Sequence, residues 1–213
     1  MIRLCIAAPA LGPDGLGAFV VSLGDPLPQD VEFCKENFKN NLILPPPLSE
    51  YAEMAKEGEP RQRRRLCLWA LASLLREAAI PCPPLTVGRY GKPDFAEGGY
   101  HFSLSHADGL CAAVLSDVAI GLDVEPCDRR IPKARVSRLS ALFTPGERDR
   151  LSSAPDSALA FLETWVAKEA YCKWDGRGLA ALRAAPDTLA CPPTLARHLS
   201  VGGREYCLAV YGR

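Results

Sequence analysis

Hydrophobic and polar positions alternate most regularly in the middle of the chain. In YHFSLSH, Tyr100, Phe102, Leu104 and His106 fall on one face and His101, Ser103 and Ser105 on the other, which predicts a strand. LCAAVLS and AIGLDVE, joined through Asp117, predict two more strands and a tight turn between them. A strand is also expected over Arg3 to Ala8, and REYCLAVYG reads as a closing strand. Elsewhere the period changes from two to that of a helix. Leu68, Leu71, Leu74, Leu75 and Ala78 recur at helical spacing within RQRRRLCLWALASLLREAA, and a further helix is expected from about Ala158 to Trp174. FTPGERDRL supplies a helix start, with Thr144 as cap, Pro145 in the first turn and Glu147 three residues after Thr144. Proline and glycine clusters at 44–48, 80–85, 88–99, 185–194 and 201–203 read as loops. The class is α+β.

With 213 residues and 48% hydrophobic composition, the chain holds enough apolar material for one full-sized core or two small ones closely packed. Lys plus Arg equals Asp plus Glu at 25 each, so no general attraction to nucleic acid or anionic lipid is expected. Nine cysteines, an odd number with no C-x-x-C, point to reduced thiols packed as small hydrophobes; a zinc site is not expected. The N-terminal apolar run is broken by Pro13, Asp14 and glycines, and no stretch is long enough to span a bilayer, so a cytoplasmic location is expected.

Against that background a few charged residues stand out. Asp123 and Glu125 are two apart in a strand, hence on one face with Cα atoms about 7 Å apart, while Ile120, Leu122 and Val124 point the other way. Such a pair repels itself unless solvent screens it or a cation lies between; a hard divalent ion such as Mg²⁺ suits it, and an exposed strand face is the alternative. Glu169 falls on the apolar stripe of its helix, four residues after Trp165. Its partner is either Lys173, one turn on, or the same metal. Arg61, Arg63, Arg64 and Arg65 open a helix whose dipole disfavours cations there; a bound phosphate would resolve the conflict, and so would Glu57 and Glu59. Lys92 and His106 are further candidate phosphate contacts. DRRIPKARVSRL, residues 128–139, is a positive patch, either a solvated face or a docking surface for an acidic partner.

The order of GKP (91–93), FSLSH (102–106), IGLDVE (120–125), FTPGE (143–147), WVAKEAYCK (165–173) and GRGL (176–179) resembles the 4'-phosphopantetheinyl transferase family, Sfp type, over roughly residues 61–180. The resemblance implies a pseudo-dimer of two similar α+β subdomains, divided here as 1–110 and 111–213, with coenzyme A in the cleft between them. It implies transfer of the 4'-phosphopantetheine arm of coenzyme A to a serine of an apo acyl or peptidyl carrier protein, releasing adenosine 3',5'-bisphosphate. Carried over residue by residue, Asp123, Glu125 and Glu169 would hold Mg²⁺, and Asp123, Glu169 and Lys173 would serve catalysis, with Glu169 as candidate base. Lys173, Lys168, Lys92, Ser105, His106 and the arginines Arg61, Arg64 and Arg65 would hold coenzyme A. The partner would be a small acidic carrier protein, bound transiently beside residues 129–138 by a monomeric enzyme, with no nucleic acid or membrane involved. A Mg²⁺-dependent phosphohydrolase or nucleotidyl transferase built from the same groups remains open, as does a binding module without turnover.

Overall fold

The computed structural model describes residues 2–9, 16–22, 44–54 and 61–212. Two antiparallel sheets lie face to face, and a long helix covers the outer side of each. The first sheet has the order β2 (Leu16–Ser22), β1 (Ile2–Pro9), β6 (Leu110–Ser116), β5 (His101–Ala107); the second has β7 (Ile120–Pro126), β9 (Arg204–Gly212), β8 (Leu195–Val201). The period-2 alternation sorts the side chains between layers. Leu4, Ile6, Ala112 and Val114 of the first sheet meet Ile120, Leu122, Val124, Leu208 and Val210 of the second in a shared core. The intervening residues Cys5, Ala7, Cys111, Ala113 and Leu115 face helix α2 (Arg61–Glu77), which presents Leu68, Leu71, Leu74 and Leu75. Cys207, Ala209 and Tyr211 face helix α5 (Ser157–Asp175) through Leu162, Val166, Ala167 and Ala170.

β5 and β7 are edge strands of different sheets and meet at a seam. There the serines of β5 take the place of a neighbouring strand's carbonyls: the Leu122 N–H donates to Ser103 Oγ at 3.1 Å and the Val124 N–H to Ser105 Oγ at 3.3 Å. Both serines are buried, so each hydroxyl satisfies a backbone donor that would otherwise be orphaned.

The structure departs from the sequence reading at several places. Residues 44–48, expected as loop, lead into helix α1 (Pro46–Glu53), in which Pro45 is the cap and proline occupies the first turn. Missing N–H groups cost nothing there, because the first turn has no intrahelical acceptors for them. Strand β2 was not expected, and the segment 85–95 contains a short hairpin, β3 (Leu85–Val87) with β4 (Pro93–Phe95). β5 and β6 form a hairpin within the first sheet, and the second sheet begins with β7. Beyond β7 come α3 (Lys133–Ser140), α4 (Pro145–Ser153) and, after α5, a 3₁₀ helix Gly178–Ala184.

The expected capping box forms. Thr144 Oγ1 accepts from the Glu147 N–H at 3.3 Å, and Glu147 Oε2 accepts from the Thr144 N–H at 2.9 Å. Among the described residues all eight cysteines are free, and no helix is long and apolar enough to cross a membrane.

Candidate active site

Strand β7 and helix α5 approach each other unusually closely, and one glycine makes that possible. A Cβ on Gly121 would lie 2.1 Å from the Ala170 carbonyl oxygen and 2.3 Å from the Trp174 nitrogen. With no side chain at 121, the strand face that carries Asp123 and Glu125 lies directly under the turn of α5 that carries Glu169 and Lys173. Carboxylate oxygens of Asp123, Glu125 and Glu169 lie within 4.8 Å of one another. The three acids singled out from sequence therefore converge on one point.

Lys173 bridges this cluster to the seam. Its Nζ donates to Asp123 Oδ1 at 2.7 Å, to Ser105 Oγ at 3.0 Å and to the Leu104 carbonyl at 3.3 Å. Ser105 Oγ in turn donates to Asp123 Oδ1 at 2.8 Å. Asp123 is 3% exposed, and its second oxygen, Oδ2, is buried without a hydrogen-bond partner. Burial, and next the negative charge of Asp123, push the Glu169 carboxyl up to about 8. The Glu125 carboxyl is raised by the same two causes in the same order, against the pull of Arg129, whose Nη1 pairs with Glu125 Oε1. Three carboxylates with one orphaned buried oxygen form a hard, oxygen-only donor set, which suits Mg²⁺ and not a thiophilic ion.

Lys92 approaches the same region from the loop between β3 and β4. Its Nζ donates to the Ile120 carbonyl at 2.8 Å, and burial lowers its affinity for the proton. A cavity of about 230 Å³ is lined by Tyr90, Lys92, Ser103, Leu104 and Lys173, among others, so both lysines look onto one space. Gly176, which ends α5 at φ 85°, and Gly178 shape its rim. His106 is exposed near the end of β5, opposite Cys111 in register. Cys111 Sγ contacts the Arg63 carbonyl, placing His106 on the same side of the sheet as the first turns of α2.

Other expected ligands lie differently. Arg64 stacks on Tyr51, its guanidinium carbon 4.1 Å from the ring centroid, and Arg65 pairs with Glu53 at 3.3 Å, so both tie α2 to α1. The side chain of Arg61 lies outside the described residues. Lys168 departs from its expected role altogether. It is fully buried, 2.9 Å from the equally buried Glu147, and it donates to the carbonyls of Ala185 and Pro186 at 3.3 and 3.0 Å. Lys168 and Glu169 are adjacent on a helix and so point about 100° apart. One faces the strand and its acids, the other the packing between α4, α5 and residues 185–188.

Sequence reading missed Gly121, Ser103 and Arg129 as parts of the site. A glycine inside a strand signals close backbone approach and was the available clue to the first. Ser103 and Arg129 become legible only once the seam and the β7 terminus are seen.

The family model described as the 4'-phosphopantetheinyl transferase superfamily matches residues 119–210, which contain β7, α5 and all three carboxylates. The chain is 36% identical over 138 residues to the 4'-phosphopantetheinyl transferase AcpT of Escherichia coli, covering 62% of this chain and 66% of that protein, slightly under two thirds of its length. It is 32% identical over 92 residues to the 4'-phosphopantetheinyl transferase gsp of Aneurinibacillus migulanus, covering 42% and 37%. Against the 4'-phosphopantetheinyl transferase HetI of Nostoc it is 38% identical over 99 residues, covering 43% and 41%. The motif order, the α+β architecture and these similarities agree, and residues 119–210 of the chain match the 4'-phosphopantetheinyl transferase superfamily.

Proposed function

We propose that this protein transfers the 4'-phosphopantetheine arm of coenzyme A to a serine of an apo acyl or peptidyl carrier protein, with adenosine 3',5'-bisphosphate as the second product. The observation that carries this reading is the convergence of Asp123, Glu125 and Glu169 beside Lys173, with an orphaned buried oxygen on Asp123. In the same reading the two sheet-and-helix units are related halves with coenzyme A between them, and the enzyme acts as a monomer in the cytoplasm.

Asp123, Glu125 and Glu169 would hold Mg²⁺, which supplies charge neutralisation for the pyrophosphate under attack. Lys173 spans the carboxylate cluster and the cavity, so its ammonium is placed to bind phosphate oxygens and to stabilise the charge that grows on the departing nucleotide. Lys92 adds a second cation to that cavity. The carrier serine hydroxyl attacks the phosphorus attached to the pantetheine arm. Its proton passes to Glu169, the carboxylate that α5 brings to the cluster. Ser105 holds Lys173 and Asp123 in register by bonding both.

The carrier protein would dock on α3, where Lys133, Arg135 and Arg138 are exposed, with Arg130 just before them. Arg129 joins that basic surface to the site by pairing with Glu125. Steering of an acidic partner to such a surface raises the association rate and weakens with salt.

The test is intact-mass spectrometry of an apo carrier protein incubated with the enzyme, coenzyme A and Mg²⁺. The expected result is a carrier heavier by one phosphopantetheine arm, absent when EDTA is present. Cleavage of coenzyme A without a mass gain on any carrier would replace this reading with a hydrolase.

A further inference from the structure

A second cluster of ligating side chains lies beside the first, just past the end of β7, with a different chemistry. Cys127 follows β7, and Cys207 and His198 lie on β9 and β8. Cys207 is opposite Glu125 on one side and opposite His198 on the other, so the sheet register sets these groups in one row under α5. Ligating atoms of Cys127, His198 and Cys207 all lie within 4.8 Å of one another. We propose that Cys127, Cys207 and His198 form a binding site for a thiophilic divalent cation of the zinc class, with Glu163 as the carboxylate that positions the histidine.

Four observations carry this. First, the donor set is two sulfurs and one imidazole, the combination that selects zinc-class ions over the hard cations suited to the neighbouring carboxylates. Second, the two sulfurs are 3.2 Å apart. Two thiolates on one tetrahedral zinc stand about 3.8 Å apart, given Zn–S bonds of about 2.3 Å. A disulfide needs about 2.05 Å, so the pair is closer to the span of two metal ligands than to that of a covalent bond. Third, His198 Nε2 is held 2.9 Å from Glu163 Oε1, and Glu163 is itself fixed by Arg150. A carboxylate bonded to the second nitrogen is what orients a ligating imidazole and raises its basicity. Fourth, a cavity of about 460 Å³ is lined by Glu163, His198 and Cys207, giving an ion a path from solvent.

Three protein ligands leave a fourth position open to water or an exchanging ligand. Loading would displace the thiol protons and join all three strands of the second sheet through one ion. Chain spacing conceals the site. Cys127 and Cys207 are 80 residues apart, and their proximity arises from strand pairing, so the absence of C-x-x-C says nothing about it.

The experiment uses the full chain, stripped of metal and kept reduced, titrated with Zn²⁺ and separately with Co²⁺. Expected are one tightly bound ion per chain, a rise in the melting temperature with added Zn²⁺, and a thiolate-to-cobalt charge-transfer absorption. That absorption should vanish in Cys127→Ser and persist in Glu169→Gln, which alters only the carboxylate cluster. His198→Ala should lower the affinity strongly, and Glu163→Gln should weaken it about tenfold or more. Cys127 and His198 are not buried, so both variants should fold with unchanged metal-free melting temperatures. Absence of the cobalt–thiolate band in wild type, or a band of equal strength in Cys127→Ser, would overturn the proposal. So would a wild-type pair that forms a disulfide and binds no ion after reduction.

Discussion

Lys168 sits one residue before a candidate metal ligand, yet its environment assigns it to stability, and the difference can be measured. The Lys168–Glu147 pair is fully buried on both sides. Removing one partner of such a pair leaves an uncompensated charge, at a cost of about 3–5 kcal/mol. In Lys168→Met the Glu147 carboxylate keeps three donors, the Thr144 N–H, the Thr188 N–H and the Thr188 hydroxyl, at 2.8–2.9 Å. The cost should therefore fall near the lower end, about 3 kcal/mol, or a fall in melting temperature of about 6–12 °C for a chain of this size. Glu147→Gln leaves Lys168 with only two carbonyls, so it should cost at least as much. The double variant should be more stable than the sum of the two by about 1–3 kcal/mol, because neither buried charge remains. Urea and thermal unfolding report these values, and the KM for coenzyme A, measured on the folded variants, should stay within about twofold of wild type. If Lys168→Met kept its melting temperature and instead raised that KM, the assignment of Lys168 to the core would be refuted.

Gly121→Ala places a methyl group within 2.1 Å of the Ala170 carbonyl, so β7 and α5 must move apart. Overpacking of this kind costs about 1–3 kcal/mol or more, and the separation of Asp123 from Glu169 should weaken Mg²⁺ binding in calorimetry even where the variant folds. In the metal-free protein, Glu169 keeps its proton up to about pH 8, whereas an unfolded chain loses it near the ordinary glutamate value of 4.5. Between those values the folded state binds more protons, so this group makes stability fall as pH rises. Glu169→Gln should show a shallower decline from pH 5 to 8 in chemical denaturation, and a decline equal to wild type would contradict the burial argument. Lys92→Ala should raise the KM for coenzyme A several-fold with a smaller change in kcat, since Lys92 faces the cavity and not the carboxylates; an unchanged KM would remove Lys92 from the substrate site.

Much of this architecture was legible in the chain because the period-2 and helical patterns are local. Ile120, Leu122 and Val124 do pack inward and Asp123 and Glu125 outward from that core, as alternation requires. The Thr144 cap was readable because its two reciprocal bonds depend on residues three apart. Proline misled at 45–47, where a residue that breaks helix interiors instead begins one. Lys168 misled because a motif places neighbours together in sequence, while the helix turns them to different faces. The Cys127–His198–Cys207 row was invisible because strand register, and not spacing, sets it. The basic run at 61–65 illustrates a third kind of miss. Its charges are partly spent on α1, through Tyr51 and Glu53, a helix that the sequence pattern did not reveal.

In the proposed function, Asp123, Glu125 and Glu169 act together as a metal-holding cluster for phosphopantetheine transfer. Its most direct test is single-turnover transfer to an apo acyl carrier protein by Asp123→Asn, with coenzyme A binding to the same variant followed by calorimetry. The variant keeps the shape of Asp123 and one oxygen for Lys173 and Ser105, but it removes the charge. The expected transfer rate is lower by about 10²-fold or more, on the scale of losing one electrostatic element of a phosphoryl-transfer site. A folded Asp123→Asn that transfers at the wild-type rate would contradict it.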